Sequence, residues 1–508
     1  MEICLKKEEY RSLENICECV IEECVQAELS LPEYMPEILR IVRSSAEVKI
    51  NSCGCVGERC TVDGECELRM VYTADDGSVV SFSQTRPFTR YCDNKAFAEA
   101  DDVRADKAVS YVNCRATNPR RAEIKAGITV TLAAFAAVTQ SIAVSCDSDL
   151  VQQKSLDIHA SSLGCVCSRS FSMSDTCELK NGAALYILST KTAAITGETR
   201  KTGNKLMING EATVEICYVP AADRTVSETV RHSMPVSQVL EFEGLRETYN
   251  GETVLRVDAA DIIIKNGPAG EGSAFDISLG ITAAVTMWEQ KDISLISDAY
   301  SVEGEPELEK KRVVFLTAAD EVRENRNFRE TVDFSKSGIG EIIDFVYENI
   351  NVKAVTEGAL LKISGALKLS FILRDQSGET VTDEKVTDYC FEHRLSEEIA
   401  DAYTLPSVTV CAVDCIRKNS NQAEIRAELR VVCPVFEKNG LDVITDIKIK
   451  ETPQKKRKSS LTVYFPQSEE SLWDIARRYN TTVDAVAGEN GITGETTGEL
   501  KMIFIPVV

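Results

Sequence analysis

Three stretches of this chain align around a glycine: CTVDGECELRMVY at Gly64, LMINGEATVEICY at Gly210 and LKISGALKLSFIL at Gly365. Two, four, six and eight residues past each glycine stand Cys66, Leu68, Met70 and Tyr72, then Ala212, Val214, Ile216 and Tyr218, then Leu367, Leu369, Phe371 and Leu373. All twelve are apolar, and the residues between them, such as Glu67, Arg69, Glu215 and Lys368, are mostly polar. A period of two with one apolar face is the pattern of a half-buried strand. A threefold copy of it means a tandem array of one β unit.

Other blocks repeat in step. VNCRATNPRRAEIKAGITV from Val112 aligns without gaps on VDCIRKNSNQAEIRAELRV from Val413, and each reads as strand, turn, strand. The middle copy, from Arg256, joins the same two strands through the glycine-rich turn 267–272. Gly77 and Gly378 sit thirteen residues after their central glycines, in DDG and QSG, where a hairpin turn calls for positive φ. The fold class expected is mainly β: three tandem β-sandwich or barrel-like domains over 26–150, 168–300 and 325–450. Ahead of them, YRSLENICECVIEEC places Leu13, Ile16, Cys17, Val20, Ile21 and Cys24 on one helical stripe, so 1–25 is expected to form an amphipathic helix. The tract 451–460, ETPQKKRKSS, reads as a basic linker.

Composition excludes several functions. With 57 basic and 80 acidic side chains the chain carries a net charge of −23, which repels phosphate backbones, so nucleic acid is not an expected partner. No transmembrane segment is expected: the longest apolar run, ITVTLAAFAAV from Ile128, is shorter than the roughly 20 residues a span requires. Glu2, Glu8, Glu9 and Arg11 precede any apolar stretch, so a secretory signal peptide is not expected either. Of the 19 cysteines, 15 lie before Tyr218, and without export they are expected to be reduced thiols acting as small apolar side chains, not metal ligands. The three histidines, His159, His232 and His393, stand in no catalytic motif. The GETRKTGNK segment from Gly197 has the wrong spacing for a phosphate loop and reads as a turn. No catalytic residue, metal or cofactor is expected, and the chain is not expected to be an enzyme.

From Leu461 the pattern changes to strand, helix, helix, strand. Ser471 with Asp474, and Thr481 with Asp484, fit the box that caps a helix start. Leu472, Ile475, Ala476 and Tyr479 form one stripe and Val483, Val486, Ala487 and Asn490 another. Over 461–508 this order resembles the LysM domain, on Thr462-Val463, Pro466, Ser471-Leu472-Trp473, Ile475-Ala476, Tyr479, Thr482-Val483, Asn490-Gly491 and Ile505-Pro506. The family grips N-acetylglucosamine polymers with two loops. The resemblance therefore implies a partner- or glycan-binding site at Gln467, Ser468, Glu469, Glu470, Ser471, Trp473, Asn490, Gly491, Ile492 and Thr493. The family's usual Pro-Gly-Asp is replaced here by a longer, more acidic Pro-Gln-Ser-Glu-Glu.

Three β repeats followed by one such module resemble the SipL-like family of spore coat morphogenetic proteins, whose repeats are called SPOCS domains. The resemblance implies a scaffold in the mother-cell cytoplasm, at the forespore surface and spore coat. There it would bind the coat morphogenetic ATPase, stage IV sporulation protein A, through the LysM domain, together with other coat proteins. Peptidoglycan of the cell wall or spore cortex is the alternative partner.

Overall fold

The computed structural model describes residues 3–148, 150–180, 182–335, 338–450 and 461–506; the expected basic linker at 451–460 lies outside them. The first repeat runs β1 (Leu5–Ser30), β2 (Arg40–Val56), β3 (Arg59–Thr73), β4 (Val79–Asp93), β5 (Asp102–Asn118) and β6 (Arg121–Cys146). Its sheets β1-β6-β5 and β2-β3-β4 face each other as a sandwich. The second repeat repeats this with β7 (Val151–Glu178), β8 (Ala184–Thr202), β9 (Lys205–Pro220), β10 (Glu228–Glu241), β11 (Asn250–Gly267) and β12 (Gly270–Ser301), in sheets β11-β12-β7 and β10-β9-β8. In the third, β13 (Glu305–Asp333), β14 (Glu341–Glu357), β15 (Leu360–Arg374), β16 (Thr380–Arg394), β17 (Ala402–Thr404), β18 (Ser407–Arg417) and β19 (Gln422–Lys450) follow the same plan. There the strand equivalent to β5 and β11 is broken at Leu405-Pro406, as a proline without an N–H requires.

The alternating series are the centres of the three cores. Cys66, Leu68, Met70 and Tyr72 are wholly buried on β3, and so are Leu367, Leu369, Phe371 and Leu373 on β15. The glycine that heads each series serves close approach. A Cβ on Gly64 would lie 2.5 Å from the Lys49 carbonyl and 2.6 Å from the Phe88 ring; one on Gly210 would lie 2.3 Å from the Ile195 carbonyl; one on Gly365 would meet the Tyr389 ring. Register shifts at Ile50/Ser52, Thr196/Thr199 and Ile350/Lys353 push the neighbouring strand towards these glycines. Gly77 and Gly378 do have positive φ, +77° and +90°, in their hairpin turns.

The helix expected at 1–25 is instead the first part of β1, which pairs with β6 from Leu5↔Cys146 to Ser30↔Arg121. A bulge between Asn15 and Cys17 shifts the phase of alternation, so residues on either side of it mimic a 3.6-residue stripe. The segments ahead of the second and third expected repeats are strand as well: β7 starts at Val151 and β13 at Glu305. Each repeat thus begins with a strand of 26 to 29 residues paired along its whole length with the repeat's last strand.

The outer halves of these ribbons pack on one another. Tyr10, Ile142, Ala160, Ile293, Leu295, Val313, Phe315 and Val443, one or two from each of the six strands, form a single cluster. The Tyr10 and Phe315 rings lie 4.8 Å apart, and Leu316 N–H donates to the Tyr10 hydroxyl at 2.9 Å. The second sheets meet too. Val71, Cys217 and Ile372, each seven residues past its glycine, share a cluster. Beside them the register partners Arg43, Ser189 and Asp344 converge: Arg43 pairs with Asp344, Ser189 Oγ donates to Asp344 at 2.8 Å, and Arg43 Nη2 reaches Leu188 O at 3.1 Å. Equivalent positions of three repeats meeting at one point define an approximate threefold arrangement within one chain.

Between the repeats lies a cleft of about 870 Å³ whose lining includes Glu252. Burial pushes the Glu252 carboxyl up to about 7 against the pull of Arg323, whose Nη2 donates to it at 2.9 Å; Glu321 adds to the rise. A carboxyl whose folded pKa exceeds the ordinary 4.5 binds a proton on folding, so stability falls as pH rises from about 4.5 to 7. Urea denaturation should therefore show the native chain losing stability relative to Glu252→Gln over this window. Parallel pH profiles for the two would refute the assignment.

Candidate functional site

The C-terminal module is built on β20 (Leu461–Tyr464) and β21 (Ile503–Pro506), paired antiparallel from Leu461↔Pro506 to Tyr464↔Ile503. Between them lie α1 (Leu472–Arg478) and α2 (Val483–Asn490). The expected stripes form its core: Leu472, Ile475, Ala476 and Val486 are buried with Ile503 and Ile505. The caps differ from expectation. Ser471 makes no side-chain cap bond at the start of α1; Leu472 N–H donates to Glu495 O at 2.9 Å and Ser471 forms a β-bridge with Thr496. Thr482, not Thr481, caps α2 by accepting from Ala485 N–H at 3.1 Å; the buried Thr481 hydroxyl instead donates to Pro506 O.

The residues expected to bind a partner separate into three groups. Gln467 to Ser471 form a loop stitched to 495–498: Thr496 Oγ1 donates to Glu469 at 2.6 Å, Thr497 N–H to Glu470 O at 2.9 Å, and Thr497 Oγ1 to Gln467 O at 3.3 Å. Glu470 is held by the Tyr464 hydroxyl, Gln467 N–H and Arg478, and Glu469 takes a positive φ of 58°. Gln467, Ser468 and Glu469 remain exposed. In the second group, Asn490 is a brace: its amide donates to Val486 O and Phe504 O and accepts from Phe504 N–H. Gly491 ends α2 at φ 66°, Ile492 packs against the module core, and Thr493 is exposed.

Trp473 is the third group, and it is occupied by the chain itself. Its indole N–H donates to Asp298 at 3.1 Å, and its ring meets Tyr300 edge-on at 4.8 Å. Arg477 pairs with the same Asp298 at 2.8 Å, and the Tyr300 hydroxyl donates to Thr481 O at 2.8 Å. The module therefore docks through α1 on the end of β12, and burial pushes the Tyr300 phenol up. Aromatic contacts of this kind contribute about 0.5–1.5 kcal/mol and each hydrogen bond about 1 kcal/mol. Tyr300→Ala should release the module intact, read as a red shift of Trp473 emission in a Trp288→Phe background. Unchanged emission would place the docking energy elsewhere.

Sequence reasoning missed the face opposite to this contact. Leu461, Val463, Phe465, Leu500 and Met502 are all exposed, Phe465 by 70% and Val463 by 49%. Tyr464, Ile503 and Ile505 turn inwards, while Leu461 and Val463 of β20, with Phe465 and Met502 just beyond the paired ends, present apolar side chains to solvent. The signal was available: LTVYFP and MIFIP are apolar on both faces, and a two-stranded sheet in a module this small has only one face to cover.

A threefold β body carrying a compact βααβ module on one ribbon end is the architecture of a multidomain, mainly β protein. Residues 37–117 and 184–265 match the SipL, SPOCS domain family, and 467–497 match the LysM domain. The chain thus carries SPOCS domains of the SipL type together with a C-terminal LysM domain, the combination its sequence resembles. The two SPOCS matches run from the lead-in to β2 through β5, and from β8 through β11. The matches support a sporulation, coat-related protein with a module of the peptidoglycan-binding type, and both families are non-catalytic binding or scaffold domains. No curated protein and no solved structure matches the chain. Among the described residues no helix is long and apolar enough to cross a membrane.

Proposed function

We propose that the chain is a non-enzymatic spore envelope scaffold. Working in the mother-cell cytoplasm at the forespore surface, it tethers coat layers there by binding the coat morphogenetic ATPase, stage IV sporulation protein A, through its LysM domain. The observation that carries this reading is the exposed apolar patch of Leu461 and Val463 on β20 with the flanking Phe465 and Met502, on a module whose Trp473 is engaged with Asp298 and Tyr300. A contiguous apolar patch on an otherwise polar surface is the mark of a protein contact. The exposed carboxylates Glu469, Glu489, Glu495 and Glu499 favour a basic rim on the partner. The threefold body supplies the surface on which other coat proteins assemble.

The family match over 467–497 favours a second reading, binding of peptidoglycan through the loops at Gln467–Ser471 and Asn490–Thr493. Sedimentation of the full chain with purified sacculi, beside a wall-binding LysM protein as control, separates the two. The scaffold reading expects the chain to stay in solution while the control pellets. Co-pelleting as complete as the control's would favour the glycan reading instead.

A further inference from the structure

Six thiols gather at one end of the first repeat. Cys60, wholly buried on β3, stands directly opposite Cys55 on β2 and Cys92 on β4. Directly paired residues of adjacent strands share a face, so these three thiols form a row across the sheet. Cys53 lies two residues from Cys55 on the same face, its Sγ 3.8 Å from that of Cys60. From the facing sheet β1 contributes Cys17 and Cys19, 3.5 Å apart, with the Asn94 amide donating to Cys17 at 2.9 Å. Cysteine as apolar filler explains single buried thiols, but not two in hydrogen-bonding contact beside an opening.

That opening is the cleft between the repeats, which Cys53 and Cys55 line together with Arg256 and Asp258 of the second repeat. The Cys60 thiol holds Cys53 below the usual thiol range, with the Arg256 guanidinium acting in the same direction, while Cys60 itself is pushed up. A thiol of lowered pKa facing solvent is the nucleophilic member of a pair, and a buried neighbour of raised pKa is the member that responds.

We propose that Cys53 and Cys60 form an oxidant-reactive dithiol, in which Cys53 meets hydrogen peroxide from the cleft and Cys60 closes the disulfide. The Cys53 thiolate attacks one peroxide oxygen; the S–O bond forms, the O–O bond breaks and hydroxide leaves, giving the sulfenic acid. The Cys60 sulfur then displaces the sulfenic oxygen, which departs as water with the Cys60 proton. Two thiols and one peroxide thus become one disulfide and two waters. The bridge ties β2 to β3 beside the cleft and fixes that wall of the first repeat under oxidising conditions.

The test uses the full chain, reduced and then exposed to stoichiometric hydrogen peroxide, with disulfide mapping by mass spectrometry. A Cys53–Cys60 link is expected, formed at least about tenfold faster than oxidation of the exposed Cys4, Cys24 and Cys390. In Cys60→Ser, a dimedone adduct should appear on Cys53. In Cys53→Ser, which leaves the buried Cys60 in place, the link should be lost while Cys60 stays reduced. A Cys55–Cys60 link would overturn the assignment of Cys53 as nucleophile. Oxidation of Cys4, Cys24 and Cys390 ahead of Cys53 would overturn the site.

Discussion

Asp344→Ala should cost about 3–5 kcal/mol of stability, because it leaves the Arg43 guanidinium buried and unpaired. The side chains of Arg43 and Asp344 are 7% and 2% exposed, and among the described residues Nε and Nη1 of Arg43 already have no hydrogen-bond partner. Asp344 is also the acceptor for Ser189, so one substitution strips a polar contact from all three repeats. The double change Arg43→Met with Asp344→Leu removes the charge and its partner together and is expected to be close to neutral, since an apolar pair of similar volume has no desolvation to offset. Chemical denaturation of the two variants beside the parent checks this. An Asp344→Ala chain as stable as the parent would mean that the repeats do not close on one another at this point.

Phe465→Ala should weaken capture of the coat ATPase at least about tenfold, the effect of losing an aromatic anchor worth more than about 1.4 kcal/mol at an interface. The same change should leave the fold's stability nearly untouched, because the ring is 70% exposed and has little burial to lose. Val463→Asp, on the same outward face, should act in the same direction. Surface-based binding assays read the first effect and thermal unfolding the second. Loss of binding accompanied by loss of stability would mark Phe465 as structural.

Much of the fold was legible because strand alternation is a local property. The series after Gly64, Gly210 and Gly365 named core residues that are buried in the structure, and the β character and the βααβ module followed from the same patterns. The long first strands were not legible. In β1 a bulge between Asn15 and Cys17 shifts the phase of alternation, and the partner that fixes its register, β6, lies at the far end of the repeat. The reason for the glycines was hidden as well, since close approach of Lys49 O or Ile195 O depends on a bulge in the neighbouring strand.

The threefold closure was invisible for a related reason. Arg43, Ser189 and Asp344 share a repeat position but not a residue type, so no alignment marks them as neighbours. At the site, the LysM pattern located both loops, yet it could not say which side of Trp473 meets the body. The docking pair Asp298 and Tyr300 lay where the second repeat was expected to end. The sequence also offered two apolar strands without revealing that the helices cover only one side of them.

The measurement that bears most directly on the proposed scaffold is capture of the purified coat ATPase by the full chain and by a chain ending at residue 450. Capture by the first and none by the second is the expected result. Circular dichroism should show the truncated chain still folded, because the three sandwich cores lie before residue 450. Undiminished capture by the folded, truncated chain would contradict it and move the binding surface onto the repeats.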